Sequence, residues 1–290
     1  MRCCYSLPVL YVATVHFRTP KWIDVQQSYL CRNIHEPFKT FAVLDGIDEE
    51  YHSRFDRVVG AEGSHEGRLN LLAAEISAVA DSDDVILFLD GDAFPVADPM
   101  PTIHRALAST SLIAVRRNEN QGDRQPHPSF CAITVGEWER LHGDWSAGYV
   151  WTSETGLSTS DVGGNLLGIL ERGHIPWTPL VRTNKRNDHP VWFGVYGDIV
   201  YHHGSGFRRP FARVDMGTRP SGVRGERIPI FNKIIPRLNV RRRRKWMEEL
   251  QLRNERLGEE WFDLIRSDPN FYLRLVNPGP AISDATASSR

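Results

Sequence analysis

Ile86-Leu87-Phe88-Leu89-Asp90-Gly91-Asp92-Ala93-Phe94 runs an unbroken apolar strand into two carboxylates separated by one glycine. A strand apolar on both sides needs cover on both faces, which is the habit of parallel sheets layered with helices. Upstream, Val9–Val15 has the same continuous β-branched and apolar character. Between the two, Trp22, Val25, Tyr29 and Leu30 recur at helical spacing within Lys21–Asn33, and Lys39–Leu44 reads as a strand closed by Asp45-Gly46. Glu66–Ala80, rich in Leu, Ala and Glu, predicts the helix that leads into Val85–Leu89. This alternation is that of an α/β layered domain, whose ligands bind beyond the carboxyl ends of the strands.

Asp90 and Asp92 stand at such an end. Two carboxylates this close repel each other unless a cation lies between them. Mg²⁺ or Mn²⁺ takes oxygen ligands readily and shares them with substrate phosphates, so the pair implies a phosphorylated ligand. As a turn alone, Asp-Gly-Asp would need no ligand. The apolar stretch Ala93-Phe94-Pro95-Val96 directly after it favours the metal-site reading.

From Leu112 onward, short strands (Leu112–Val115, Phe130–Val135, Asp198–Tyr201) alternate with long polar stretches. Ser160–Arg172 predicts a helix, with Asp161 at its N-terminus. The segment Asp198-Ile199-Val200-Tyr201-His202-His203-Gly204-Ser205-Gly206-Phe207-Arg208-Arg209-Pro210-Phe211 ends a strand on two imidazoles and follows them with glycines and arginines. Glycine admits backbone N–H groups to a phosphate, the guanidinium fork suits its oxygens, and an imidazole completes the coordination of a metal. The strand register leaves His202 and His203 as rivals for that last role.

The chain has 290 residues with 35 Lys and Arg against 36 Asp and Glu, a formal charge of −1, which disfavours nucleic-acid binding by bulk phosphate neutralisation. Its apolar runs, Val85–Leu89 and Ile228–Ile235 among them, fall well short of the roughly 20 residues a membrane-spanning helix needs. Cys3, Cys4, Cys31 and Cys131 form no zinc or disulfide pattern, and Met1–Val15 lacks the layout of a secretory signal, so a reducing, cytoplasmic setting is expected. Val240–Leu257 is helical and strongly charged, Trp261–Ile265 continues it, and Trp246, Met247, Leu250, Leu257, Trp261, Phe262 and Ile265 form an apolar stripe expected to pack on the domain. The basic run Arg241–Lys245 is a solvated face or a peripheral contact with anionic lipid. The expected divisions are a catalytic domain over 1–235, a helical extension over 236–276 and a disordered tail over 277–290.

These residues resemble the GT-A class of nucleotide-sugar glycosyltransferases, marked by a strand-terminal Asp-x-Asp and a later metal-binding His. His203-Gly204-Ser205-Gly206-Phe207-Arg208-Arg209-Pro210-Phe211 looks like the H-x-x-G-x-x-K-P-W motif of the glycogenin/galactosyltransferase-like group, with Arg209 for Lys and Phe211 for Trp. The resemblance covers Val9 to Phe211. It implies a GT-A, Rossmann-like mixed sheet flanked by helices, with a C-terminal helical extension, and transfer of a sugar from a nucleotide sugar, UDP-linked, to a carbohydrate or other acceptor hydroxyl. By the same resemblance Asp90, Asp92 and His203 hold Mn²⁺ or Mg²⁺, with Gly91 between the carboxylates, and Gly206 and Arg209 contact the diphosphate, Arg209 stabilising its growing charge. Thr14 and Arg18 at the end of the first strand, Asp45, and Arg68 and Asn70 at the helix opening are implied as donor contacts. Asp161-Val162-Gly163-Gly164-Asn165 resembles the D-Q-x-x-x-N segment near the sugar, without its Gln, which makes Asp161 a general base, a sugar-positioning acceptor or a helix cap. An Asp-x-Asp phosphatase, a nucleotidyltransferase and a non-catalytic carbohydrate-binding module remain the alternatives.

Overall fold

In the computed structural model, which describes residues 8–60, 62–154, 156–212, 215 and 235–278 (backbone alone over 235–241), every residue of β1 (Leu10–Phe17) except the last is buried. Its two faces enter different cores. Tyr11, Ala13 and Val15 join one cluster, while Leu10 and Val12 join another. The helix α1 (Ile23–Asn33) packs Leu30 into the second cluster and is followed by β2 (Phe38–Asp45), a 3-10 turn (Glu49–Arg54) and β3 (Arg57–Val58). Next, α2 (His65–Ser77) starts at Ser64, whose hydroxyl accepts from the Gly67 N–H, and lays Leu69, Leu72, Ala73 and Ile76 on the first cluster. Then come β4 (Val85–Asp90), β5 (Ala93–Pro95), α3 (Met100–Leu107), β6 (Leu112–Val115), β7 (His127–Thr134), α4 (Val135–Leu141), β8 (Trp151–Thr152) and β9 (Ser158–Thr159). The chain continues through α5 (Gly164–Arg172), β10 (Thr178–Leu180), β11 (Gly194–Tyr196), β12 (Val200–His202), α6 (Ile235–Ser267) and α7 (Leu273–Val276).

Seven strands form one mixed sheet in the order β10-β6-β7-β4-β1-β2-β3, flanked by helices as the sequence predicts. Strand β1 pairs in parallel with β2 and β4, and β7 runs antiparallel to its neighbours β4 and β6. A second sheet, β11-β12-β5, is antiparallel, and its register sets His202 opposite Ala93. The first strand after the Asp pair therefore carries the later histidine segment alongside it, across more than a hundred residues of sequence.

A third cluster fastens the C-terminal helices to this second sheet. Trp22 just before α1, Val25 and Tyr29 of α1, Phe94, Tyr201, Trp261, Phe262, Ile265 and Phe271 pack together. The Tyr29 hydroxyl donates to the Ile265 carbonyl at 2.9 Å. Part of the stripe expected to pack thus does so. The helix α6 is longer than predicted and includes Pro236, which helices accept near their first turn. On its exposed face Arg244 pairs with Glu248 and Lys245 with Glu249, which reduces the free positive charge of the basic run. Arg241's side chain, Cys3, Cys4 and the expected tail from 279 onward lie outside the described residues. No described helix is long and apolar enough to cross a membrane.

The predicted helix over Ser160–Arg172 begins only at Gly164. Gly163 stands before it at a left-handed φ of 86°, and no side chain caps the helix, so Asp161 is not its cap. Phe271 is fully buried with its ring centroid 4.8 Å from that of Tyr201, and Leu252 is 51% exposed. Phe271→Ala is accordingly expected to cost about 3–5 kcal/mol in urea denaturation, and Leu252→Ala within about 0.5 kcal/mol. Equal effects would contradict the packing of α6 and α7 as core.

Candidate active site

The strand β4 delivers Asp90 mostly buried, its side chain 15% exposed, and the following turn brings Asp92 deeper into the protein, 3% exposed. Alternation along β12 then decides which imidazole meets them. His202 Nε2 lies 3.6 Å from Asp90 Oδ2 and 3.5 Å from Asp92 Oδ1. His203 points to the other side of the strand. Its Nδ1 is 3.1 Å from the Tyr201 hydroxyl, and its ring packs 4.5 Å from Trp22 and 4.9 Å from Phe193, centroid to centroid. Asp90, Asp92 and His202 can each turn one ligand atom to a common point, all within 4.8 Å of one another. Two carboxylate oxygens and one imidazole nitrogen form a donor set that suits Mn²⁺ or a similar divalent ion. The position expected for His203 is thus taken by His202, because adjacent strand residues face opposite ways.

Other groups fix the carboxylates. The Gly206 N–H donates to Asp92 Oδ2 at 2.9 Å, and a Cβ on Gly206 would fall 2.7 Å from that oxygen and 2.6 Å from Trp22 Nε1, so only glycine lets the loop approach. His65, at the start of α2, sets Nε2 3.1 Å from Asp90 Oδ1, and His127 Nδ1 is 3.9 Å from Asp90 Oδ2. Burial pushes the Asp92 carboxyl up, but His202, His203 and the Gly206 N–H outweigh it and hold the group at about 2. Burial works against the charged form of His65 as well, yet its bond to Asp90 and that carboxylate's charge leave its pKa raised. Burial lowers His16 to about 4 and His203 to about 3, and with the charge of Arg117 and His202 it drives His127 well down.

These groups open onto a cavity of about 810 Å³. Asp90, Gly91, Asp92, Arg68, Asp161 and Gly206 of the predicted set line it, as does His202. Arg68 is paired with Asp45 and lies 5.4 Å from the centre of the Phe17 ring, which also faces the cavity. Thr14 does not face it. Its hydroxyl donates to Gln26 at 3.0 Å, because the residues of β1 that look into the cavity are Val15 and Phe17. Arg18 is exposed, with its guanidinium carbon 4.5 Å from the centre of the Phe17 ring, and does not line the cavity. Asn70 is spent on the chain itself: its Nδ2 donates to Asp144 at 2.8 Å and its Oδ1 accepts from the Trp145 N–H at 2.9 Å. Arg209 donates to Glu255 of α6 at 2.9 Å, and of these two adjacent arginines it is Arg208 that lines the cavity. Asp161, exposed and lining the cavity, accepts from the Val162 N–H at 2.9 Å.

His65, His127 and Arg117 lie outside the residues that the sequence singles out, whereas Phe207 and Arg208 belong to the Asp198–Phe211 segment whose glycines and arginines it reads as anion-binding. Of the first three, His65 has a local signal, standing two residues before the Gly67-Arg68-Leu69-Asn70 helix opening.

No family model matches the chain, and no curated protein matches it. Among solved structures it is similar to the mannosyltransferase PcManGT from Pyrobaculum calidifontis in complex with GDP-Man and Mn²⁺, at 15% identity over 63% of this chain and 59% of that one, TM-score 0.42. It is similar to the apo-form glycosyltransferase GlyE of Streptococcus pneumoniae, at 14% identity over 60% of this chain and 45% of that one, TM-score 0.39. S. aureus TarS in complex with UDP-GlcNAc matches at 14% identity over 47% of this chain and 48% of that one, TM-score 0.35. The chain spans 30% to 50% of the TarS structures it matches.

The buried histidines make stability fall with acid. A histidine whose folded pKa lies below its unfolded value binds more protons when unfolded, so stability drops as pH falls from about 6.5 toward the folded pKa. His65, raised, works the other way, contributing below about 6.5 and losing that contribution as pH rises. Asp92 adds a loss at lower pH, from about 4 down through about 2. Between about pH 7 and about pH 5, His203 alone is expected to cost on the order of 2 kcal/mol of urea stability. The variant His203→Leu should lose that share of the pH dependence, and an unchanged slope in the variant would contradict it.

Proposed function

We propose that the chain is a metal-dependent GT-A glycosyltransferase that moves a sugar from a UDP-linked or other nucleotide sugar to an acceptor hydroxyl. The observation that carries this reading is the convergence of Asp90, Asp92 and His202 on one point at the wall of a cavity large enough for a nucleotide sugar. Asp90, Asp92 and His202 would hold the ion, Mn²⁺ or Mg²⁺. When bound, such an ion neutralises the charge of a diphosphate leaving group.

The remaining roles belong to side chains. Val15, Phe17 and Arg68 line the cavity, and an apolar strand edge, an aromatic ring and a guanidinium suit a nucleoside. Arg208 lies beside the glycines of the 204–206 turn and suits the diphosphate oxygens. This gives Arg208 the part that the resemblance implied for Arg209. Asp161 lines the same cavity and is assigned to the sugar or the acceptor hydroxyl. There it acts as general base in an inverting transfer or as a sugar-positioning acceptor in a retaining one.

With Mn²⁺ and a panel of nucleotide sugars, the protein is expected to release the nucleoside diphosphate, and EDTA to stop it. Asp92→Asn and His202→Ala should each lower the rate by more than about a hundredfold, beyond the effect of an outer-shell change. His203→Phe should keep the ion requirement. Full turnover in EDTA, or in His202→Ala, would contradict the assignment.

A further inference from the structure

Gln26 lies on α1, fully buried, and all of its hydrogen-bonding capacity is used. Its Nε2 donates to the Asp90 carbonyl at 2.9 Å and to the Ala93 carbonyl at 2.8 Å. Its Oε1 accepts from the Thr14 hydroxyl at 3.0 Å and faces His16 Nε2 at 3.1 Å. Chemistry alone fixes the orientation. Both carbonyls only accept, so the amide nitrogen must face them, and the amide oxygen only accepts, so the atom of His16 that faces it must carry a proton. Neutral His16 then has a bare Nδ1. That atom is buried without a hydrogen-bond partner, at the back of Gly91, where a Cβ would lie 2.8 Å from it.

The two carbonyls bracket the turn that carries the carboxylates. Between them the Asp92 carbonyl is taken by the N–H of His203, the residue after β12, at 3.0 Å, so the end of that strand holds the inside of the turn and α1 holds both ends. The side chain of Asp90 is held by His65 and that of Asp92 by Gly206, but among the described residues no other hydrogen bond ties the two ends of the turn to each other. We propose that Gln26 is the positioning residue of the ion site: its carboxamide clamps the Asp90-Gly91-Asp92-Ala93 turn so that both carboxylates meet His202, and holds His16 with the proton on Nε2. The inference rests on the reading of Asp90, Asp92 and His202 as ion ligands. Groups behind metal ligands commonly change affinity by about 10–100-fold when removed.

The test is calorimetric titration of the full chain and two variants with MnCl₂ alone. Gln26→Met keeps the length of the side chain without donors or acceptors, and Gln26→Glu keeps the acceptors but loses both donors to the carbonyls. Each is expected to weaken Mn²⁺ binding by at least about tenfold, and in ¹⁵N spectra of the unaltered protein His16 should carry its proton on Nε2 with Nδ1 bare. Variants that bind Mn²⁺ within about twofold of the unaltered protein would overturn the role of Gln26 while leaving the ion site standing. Failure of the unaltered protein to bind Mn²⁺ would overturn the ion site and this inference together. Should neither variant fold, the spectra decide: a proton on His16 Nδ1 overturns the clamp.

Discussion

Two carboxylates of like charge stand one residue apart at the end of a buried strand, and the surrounding structure is arranged to tolerate them. Asp92 is buried, which alone would drive it neutral, yet His202 and the Gly206 N–H hold it ionised with a pKa of about 2. Asp90 is more open and leans on His65 and His127. Buried charge persists only where opposite charge or hydrogen bonds compensate it. The arrangement compensates Asp92 fully and leaves one oxygen of each carboxylate turned toward the same imidazole, a donor set suited to a divalent cation.

The fold meets this constraint by joining two sheets at the turn. The large mixed sheet supplies the strand that ends on Asp90, and the small antiparallel sheet begins on Ala93 and places His202 opposite it. The aromatic cluster of Trp22, Phe94, Tyr201 and Phe271 lies on the far side of the small sheet, so the C-terminal helices brace the strand that carries His202. His203 belongs to that packing. Its low pKa of about 3 comes first from burial among these rings.

Much of this was legible in the sequence. The apolar runs Val9–Val15 and Val85–Leu89 declared a doubly covered sheet, and Asp-Gly-Asp at a strand end declared the ligand edge. Single-residue register was not legible. Thr14 and Val15, or His202 and His203, differ by one step along a strand, and one step reverses the face. Which face meets the cavity depends on pairings such as His202 with Ala93, set by contacts remote in sequence. Likewise the choice between Arg208 and Arg209 depends on Glu255, which captures the latter from α6. Gln26 and His127 gave no signal at all, since each is an ordinary polar residue until the fold brings it to Asp90.

Anomalous diffraction from a crystal soaked in Mn²⁺ and a nucleoside diphosphate tests the central claim most directly. The account predicts a single strong peak bonded to Asp90, Asp92 and His202, with diphosphate oxygens completing the shell. A peak on His203, or none between the two carboxylates, would contradict it.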